Sequence, residues 1–314
     1  MSGWEQGWGL EFLVFMSDFG GRGLDLALEP FHWIGGQAGY LIALPILFWC
    51  IDDRMGRRLM ALALGSALVN GILKAWWARP RPYEIAPDRI DPVHYEESRG
   101  MPSGHAQGGT VLGLFFAAQS RKTWVKALMA ALIVLMGVSR MIHGVHFLQD
   151  VLSGWLVGIT VFGLFILLEK PLAEGLAAAS TKALALLALL PILIALGAES
   201  ALEASFPDTG NLLAIGGAFS GVLLGLVLEK SRGVYRSAGP VWKRLLRAPL
   251  GLGLVVGVHL LMSWAYHALF PAVRPGLPGV AAYAFRFVPT GFAGSWLAPE
   301  LLVRIGLADS RDSA

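Results

Sequence analysis

The chain has 314 residues, 55% of them hydrophobic and 15% charged, with a net charge of +3. A soluble domain carries roughly 25% charged residues. That deficit, with a mean hydropathy of +0.59, points to one contiguous membrane domain rather than two soluble ones. The small charge, spread in short clusters between apolar stretches, gives no nucleic-acid surface. The single cysteine, Cys50, lies in an apolar run and supplies neither an intrachain disulfide nor a zinc or iron–sulfur centre.

The N-terminus lacks the basic-then-apolar pattern of a cleaved signal peptide. Residues 8–30 mix Trp8, Leu10, Phe12, Leu13, Phe15 and Met16 with acidic and glycine residues. The stretch is too polar to span. It reads as a helix in the bilayer interface, or as an arm packed on the spans. Residues 1–30 are therefore expected to form an N-terminal arm.

A bilayer crossing needs about 20 mostly apolar residues. Nine stretches qualify: roughly 32–51, 58–78, 104–119, 126–142, 147–168, 182–198, 211–228, 248–269 and 280–302. The third is short, and the ninth holds Arg286 and Pro289. The expected fold is an all-α polytopic transmembrane bundle of about nine spans.

Loop charges set the orientation. One side holds Arg54, Arg57, Arg58, Arg121, Lys122, Lys126, Lys170, Lys182, Lys230, Arg232, Arg236, Lys243, Arg244, Arg247, Arg304 and Arg311. The other holds Arg22, Arg79, Arg81, Arg89, Arg99 and Arg274. The richer side is expected to be cytoplasmic. The 79–103 loop and the 140–150 turn then face the periplasm or cell exterior.

Three clusters lie on that outer face. The first runs from Lys74 to Arg81-Pro82, the second is Pro102-Ser103-Gly104-His105, and the third is Ser139-Arg140 with His146 and Asp150. Asp150, four residues after His146, is expected on the same helical face. There its carboxylate fixes the imidazole tautomer and frees the other nitrogen to attack. Arg140 offers a planar fork for phosphate oxygens. Ser103 reads as a helix N-cap, and the free N–H groups of that helix start favour an anion. Gly104 lets an anion approach the backbone. His105 is suited to protonating a leaving oxygen. Lys74 and Arg81 add two cations, as phosphoryl transfer requires.

These clusters resemble the three-part signature of the type 2 phosphatidic acid phosphatase superfamily. Its pattern is Lys-x6-Arg-Pro, Pro-Ser-Gly-His and Ser-Arg-x5-His-x3-Asp, which residues 74–82, 102–105 and 139–150 match in order. The resemblance implies that His146 forms a phosphohistidine, Asp150 orients it and His105 protonates the leaving group. Lys74, Arg81, Ser103, Gly104 and Arg140 would hold the phosphate. It implies no metal and no cofactor. It implies a six-helix phosphatase core, read here as residues 31–198, with a C-terminal transmembrane extension at 199–314.

The expected activity is metal-independent hydrolysis of a lipid phosphate or pyrophosphate, such as phosphatidic acid or undecaprenyl pyrophosphate. The expected place is the outer face of the inner (cytoplasmic) membrane. The alternatives are a sugar-phosphate phosphatase of glucose-6-phosphatase type, suggested by the nine-span layout, and a lipid transporter or scramblase in the last spans. A structural or homodimer-forming role is the default for those spans, because Gly216-Gly217 and Gly221 to Gly225 permit close helix contact. His143 lacks a carboxylate four residues on, so it is not read as the nucleophile. Trp76 and Trp77 read as an interfacial belt, Arg79 as an anchor, and His94 to Glu97 as a solvated loop over the site. His259 and His267 read as packing or interface residues. Arg286 inside a span is either functional or a sign that the span is misplaced.

Overall fold

The computed structural model describes residues 7–201, 210–233, 235–270 and 277–310. Residues 1–6 of the predicted arm, and Arg274 and Arg311 of the charge count, lie outside them. The helices are α1 (Trp8–Gly35), α2 (Gln37–Ile46), α3 (Asp53–Trp77), α4 (Pro82–Ile85), α5 (Gly104–Gln119), α6 (Thr123–Ile142), α7 (Leu148–Ala178), α8 (Thr181–Leu187) and α9 (Leu190–Ala201). They continue with α10 (Gly210–Arg232), α11 (Val241–Leu269), α12 (Leu277–Phe285), α13 (Phe287–Phe292) and α14 (Ala298–Arg304). Short π-helical turns occupy Leu47–Ile51 and Ala293–Leu297. The strands among the described residues are β1 (Tyr235–Arg236) and β2 (Asp309–Ser310), which pair antiparallel.

The α-helical, multi-span class expected from the sequence is present. Among the described residues, six helical stretches are long and apolar enough to cross a bilayer, or seven if the bent pair Gly23–Gly35 and Gly39–Ile51 is one crossing. Outward leucines such as Leu156 and Leu167 are exposed along α7, as a lipid-facing surface requires.

Two expected spans are broken and one is locally interrupted, each for a local reason. The first, 32–51, bends by 57° between Gly35 and Gly39, where three glycines leave the backbone unstiffened. The sixth, 182–198, remains one crossing-length stretch, Thr181–Ala201, with a local turn between Leu187 and Leu190. Pro191 has no N–H for the Leu187 carbonyl. The ninth divides after Phe285, because Pro289 likewise has no N–H for that carbonyl. Arg286 sits at this break, with its guanidinium 4.2 to 5.0 Å from the rings of Tyr283, Phe287 and Tyr266. Cation–π contact offsets the cost of a charge at that depth.

The chain forms two compact units, residues 1–40 with 69–168, and residues 41–68 with 169–314. In the second unit Arg247 is fully buried. It donates to the carbonyls of Leu307, Trp49, Ser237 and Ala238, fastening the start of α11 to three other segments. Here α10 packs on α13 through glycine. A Cβ at Gly221 would sit 2.0 Å from the Val288 carbonyl oxygen. Gly221→Leu is expected to destabilise this unit by about 3 kcal/mol or more through overpacking, seen as a lower melting temperature in detergent. An unchanged melt would contradict this packing.

The first unit is built around Leu10, Leu13, Ile90, Ala106, Met141, Phe147 and Val151. α1 kinks at Gly21, which has φ 54°, and its Leu13 is wholly buried in that core. The stretch 8–30 is therefore helical and packed on the unit.

Candidate active site

All eight predicted site residues belong to the first unit. Lys74 lies in the last turn of α3, and Arg81 immediately precedes α4. Ser103 is the N-cap of α5, its hydroxyl accepting from Ala106 N at 3.4 Å. Arg140 is in the last turn of α6. Gly144 then adopts φ 71°, a left-handed conformation that suits glycine, and turns the chain back. Val145 N closes that turn on the Arg140 carbonyl at 3.1 Å.

His146 lies in this turn, and Asp150 in the first turn of α7. The two do not share a helical face as expected, because the helix begins only at Leu148. The contact forms nonetheless. His146 Nδ1 is 3.3 Å from Asp150 Oδ2, which also accepts from Phe147 N at 2.9 Å. Asp150 thus caps its own helix while holding the imidazole. Its backbone carbonyl accepts from Ser103 N at 2.8 Å, which ties the second cluster to the third.

The tautomer of His146 follows from its partners. Arg81 Nη1 lies 3.4 Å from His146 Nε2, and a guanidinium only donates. Nε2 therefore carries the lone pair, and Nδ1–H donates to Asp150. His146 and Asp150 are each 2% exposed. Burial, then the Arg81 charge, holds the His146 imidazole well below its ordinary range.

Among the described residues, the three cations take neutral hydrogen-bond acceptors. Lys74 donates to the Arg99 carbonyl. Arg81 donates to the Ser98 carbonyl at 2.6 Å, the Val145 carbonyl at 3.0 Å and Ser98 Oγ at 3.1 Å. Arg140 Nη1 donates to His32 Nδ1, and Nη2 to His143 Nδ1, each at 3.1 Å. Burial followed by the Arg140 charge pushes the His143 imidazole down to about 4, so that ring is neutral at pH 7, and the Nδ1 of His32 that meets Arg140 must likewise be unprotonated to accept. Three positive groups with neutral acceptors leave room for one anion.

His105 is 9% exposed, and its Nε2–H donates to the His32 carbonyl at 3.2 Å. A Cβ at Gly35 would sit 2.7 Å from the His105 ring. The end of α1 therefore passes directly over this histidine. Gly104 is partly exposed, with the nearest group to an added Cβ being Asn70 Oδ1 at 3.4 Å.

Several participants were not expected. Asn70 Nδ2 donates to the Pro102 carbonyl at 3.3 Å and to Gln107 Oε1 at 2.8 Å, bracing the turn before Ser103. Glu84 accepts from Arg81 N at 2.6 Å, fixing the backbone behind that guanidinium. His94 was read as part of a solvated loop, yet its ring stacks on His32 at 4.1 Å and pairs with Glu29 at 2.9 Å. Tyr95 is 75% exposed, as that reading expected. Trp76 is exposed and stacks with Trp77 at 6.4 Å. His32, Glu96 and His105 place donor atoms within 4.8 Å of one another and could hold a metal ion. His32 Nδ1 is already taken by Arg140, and the surrounding cations oppose a dication there.

A sequence model of the PAP2 superfamily matches residues 56–172, and one of the PAP2 superfamily phosphatase transmembrane extension matches residues 213–310. Sphingosine-1-phosphate phosphatase 1 of Mus musculus is 27% identical over 252 residues, 73% of this chain and 57% of that protein. Phosphatidylglycerophosphatase B of Bacillus subtilis is 34% identical over 114 residues, 33% of this chain and 53% of that protein. The chain thus spans just over half the length of these relatives. The crystal structure of Aquifex aeolicus LpxE is similar over 50% of this chain and 93% of that chain, with 25% identity and a TM-score of 0.43.

Proposed function

We propose that this chain, which belongs to the PAP2 superfamily, hydrolyses a lipid phosphate or pyrophosphate through a phosphohistidine on His146. One observation carries the reading: His146 presents the Nε2 lone pair beside Arg81 while Nδ1 is held on Asp150. Nε2 attacks phosphorus, and the bond to the leaving oxygen breaks. His105 gives that oxygen a proton. Lys74, Arg81, Arg140 and the backbone at Ser103 and Gly104 hold the equatorial oxygens, where charge builds. Water, losing a proton to His105, then cleaves the P–N bond and releases phosphate.

A lipid is favoured because a phosphate site at the end of membrane helices is reached from the bilayer side. Charge asymmetry of the loops supports an outer-face site in a cytoplasmic membrane. Nine crossings follow if the bent pair, α5 and the broken run α12 to α14 each count as one. The test is phosphate release in detergent from phosphatidic acid, undecaprenyl pyrophosphate, sphingosine 1-phosphate and glucose 6-phosphate. Turnover of glucose 6-phosphate alone would overturn the lipid reading in favour of the sugar-phosphate one.

The pH profile has a definite sign. A lowered imidazole pKa leaves His146 neutral, hence nucleophilic, below pH 6.5, where a free histidine is half protonated. After correction for the substrate's own titration, the acid limb of kcat/KM is expected on the acid side of the free-histidine value of about 6.5. An enzyme limb at 6.5 or above would contradict the buried, Arg81-facing imidazole.

A further inference from the structure

We propose that His143 and His32 are positioning residues that hold Arg140 as a cation without neutralising it; the inference rests on the phosphohydrolase reading above. A buried guanidinium needs acceptors for its N–H groups. A carboxylate is the usual one, but it competes directly with a phosphate for the same fork. Arg140 is 1% exposed. Among the described residues its two terminal nitrogens bond to imidazoles, at 3.1 Å each. Glu96 and Glu29 act on it through charge at longer range, without a hydrogen bond to its terminal nitrogens. Glu29 is engaged by His94 and Trp33, and Glu96 stands 4.0 Å from His32 Nδ1.

The tautomers are fixed by the donor. A guanidinium cannot accept, so Nδ1 of each ring must be unprotonated. The neutral His143 ring then carries its proton on Nε2, which is buried and has no hydrogen-bond partner among the described residues. His143 is 1% exposed and one helical turn from Arg140. His32 comes from a helix more than a hundred residues away in sequence, beyond the stretch the family model matches. α1 therefore supplies part of the phosphate site. Lys74 and Arg81 show the same arrangement with backbone carbonyls, so the clamp on Arg140 follows a rule of the whole site.

The test compares neutral and charged acceptors at one position. An asparagine oxygen stands near where Nδ1 of a histidine does, and aspartate has the same shape with a charge. Orthovanadate binding is measured calorimetrically in detergent, beside KM and kcat for a lipid phosphate. His143→Asn and His32→Asn are expected to stay within about threefold of wild type. His143→Asp is expected to weaken vanadate about tenfold or more, with KM rising more than kcat falls, although it bonds Arg140 more strongly. A merely structural role would not separate Asn from Asp. Equal vanadate affinity of the Asn and Asp variants, both melting near wild type, overturns the inference alone. Failure of the wild-type protein to bind vanadate overturns the inference and the phosphohydrolase reading together.

Discussion

His146→Ala is expected to abolish phosphate release from a lipid phosphate, by a factor of at least about 10^4, as removal of a covalent nucleophile does. Both ring nitrogens of His146 are assigned. Nε2 faces Arg81 at 3.4 Å, and Nδ1 faces Asp150 at 3.3 Å. No neighbour can replace it. His143 Nδ1 is occupied by Arg140. His105 Nε2–H rests on the His32 carbonyl. The variant leaves Arg81, Lys74 and Arg140 in place, so orthovanadate binding should fall much less than turnover. Full turnover by a well-folded variant would remove the covalent mechanism.

Asp150→Asn is expected to cost about 10^3- to 10^4-fold in kcat, by analogy of role with the carboxylate of a nucleophile triad. Asp150 Oδ2 meets both Phe147 N, at 2.9 Å, and His146 Nδ1, at 3.3 Å, so an amide oxygen in that place keeps both contacts. What is lost is the negative charge that stabilises the ring as it becomes positive during phosphoryl transfer. Because the helix cap survives in the asparagine variant, its melting temperature should change little. A variant that melts normally and retains a tenth or more of wild-type kcat would show that the charge of the carboxylate does not drive the step.

The core of this site was legible because its parts are local patterns. Lys74 to Arg81, Ser103 to His105 and Arg140 to Asp150 are each a short run with functional spacing. What was hidden is held from a distance or by backbone. Ser98, Arg99 and Val145 serve mainly through carbonyls, which carry no residue signature. His32 reaches Arg140 from α1, and nothing near His32 in sequence announces it. His143 did carry a signal. It follows Arg140 by three residues, within reach on one helical turn. The absence of a carboxylate four residues on excludes His143 as a nucleophile but does not exclude it as an acceptor for a guanidinium.

The same contrast holds for the fold. Long apolar stretches such as α7 and α11 were visible as spans. The bend at Gly36, the turn before Pro191 and the break at Arg286 were also written in glycine and proline, but apolar length masked them. The aromatic cage around Arg286 gathers Tyr266 from α11 with Tyr283 and Phe287, an arrangement that only helix packing brings together.

The most direct test is to trap the enzyme during turnover of a labelled lipid phosphate and locate the phosphoryl group by mass spectrometry under alkaline conditions. The arrangement of Arg81, His146 and Asp150 predicts one acid-labile phosphate, on Nε2 of His146. A phosphoryl group on any other side chain, or on Nδ1 of His146, would contradict it.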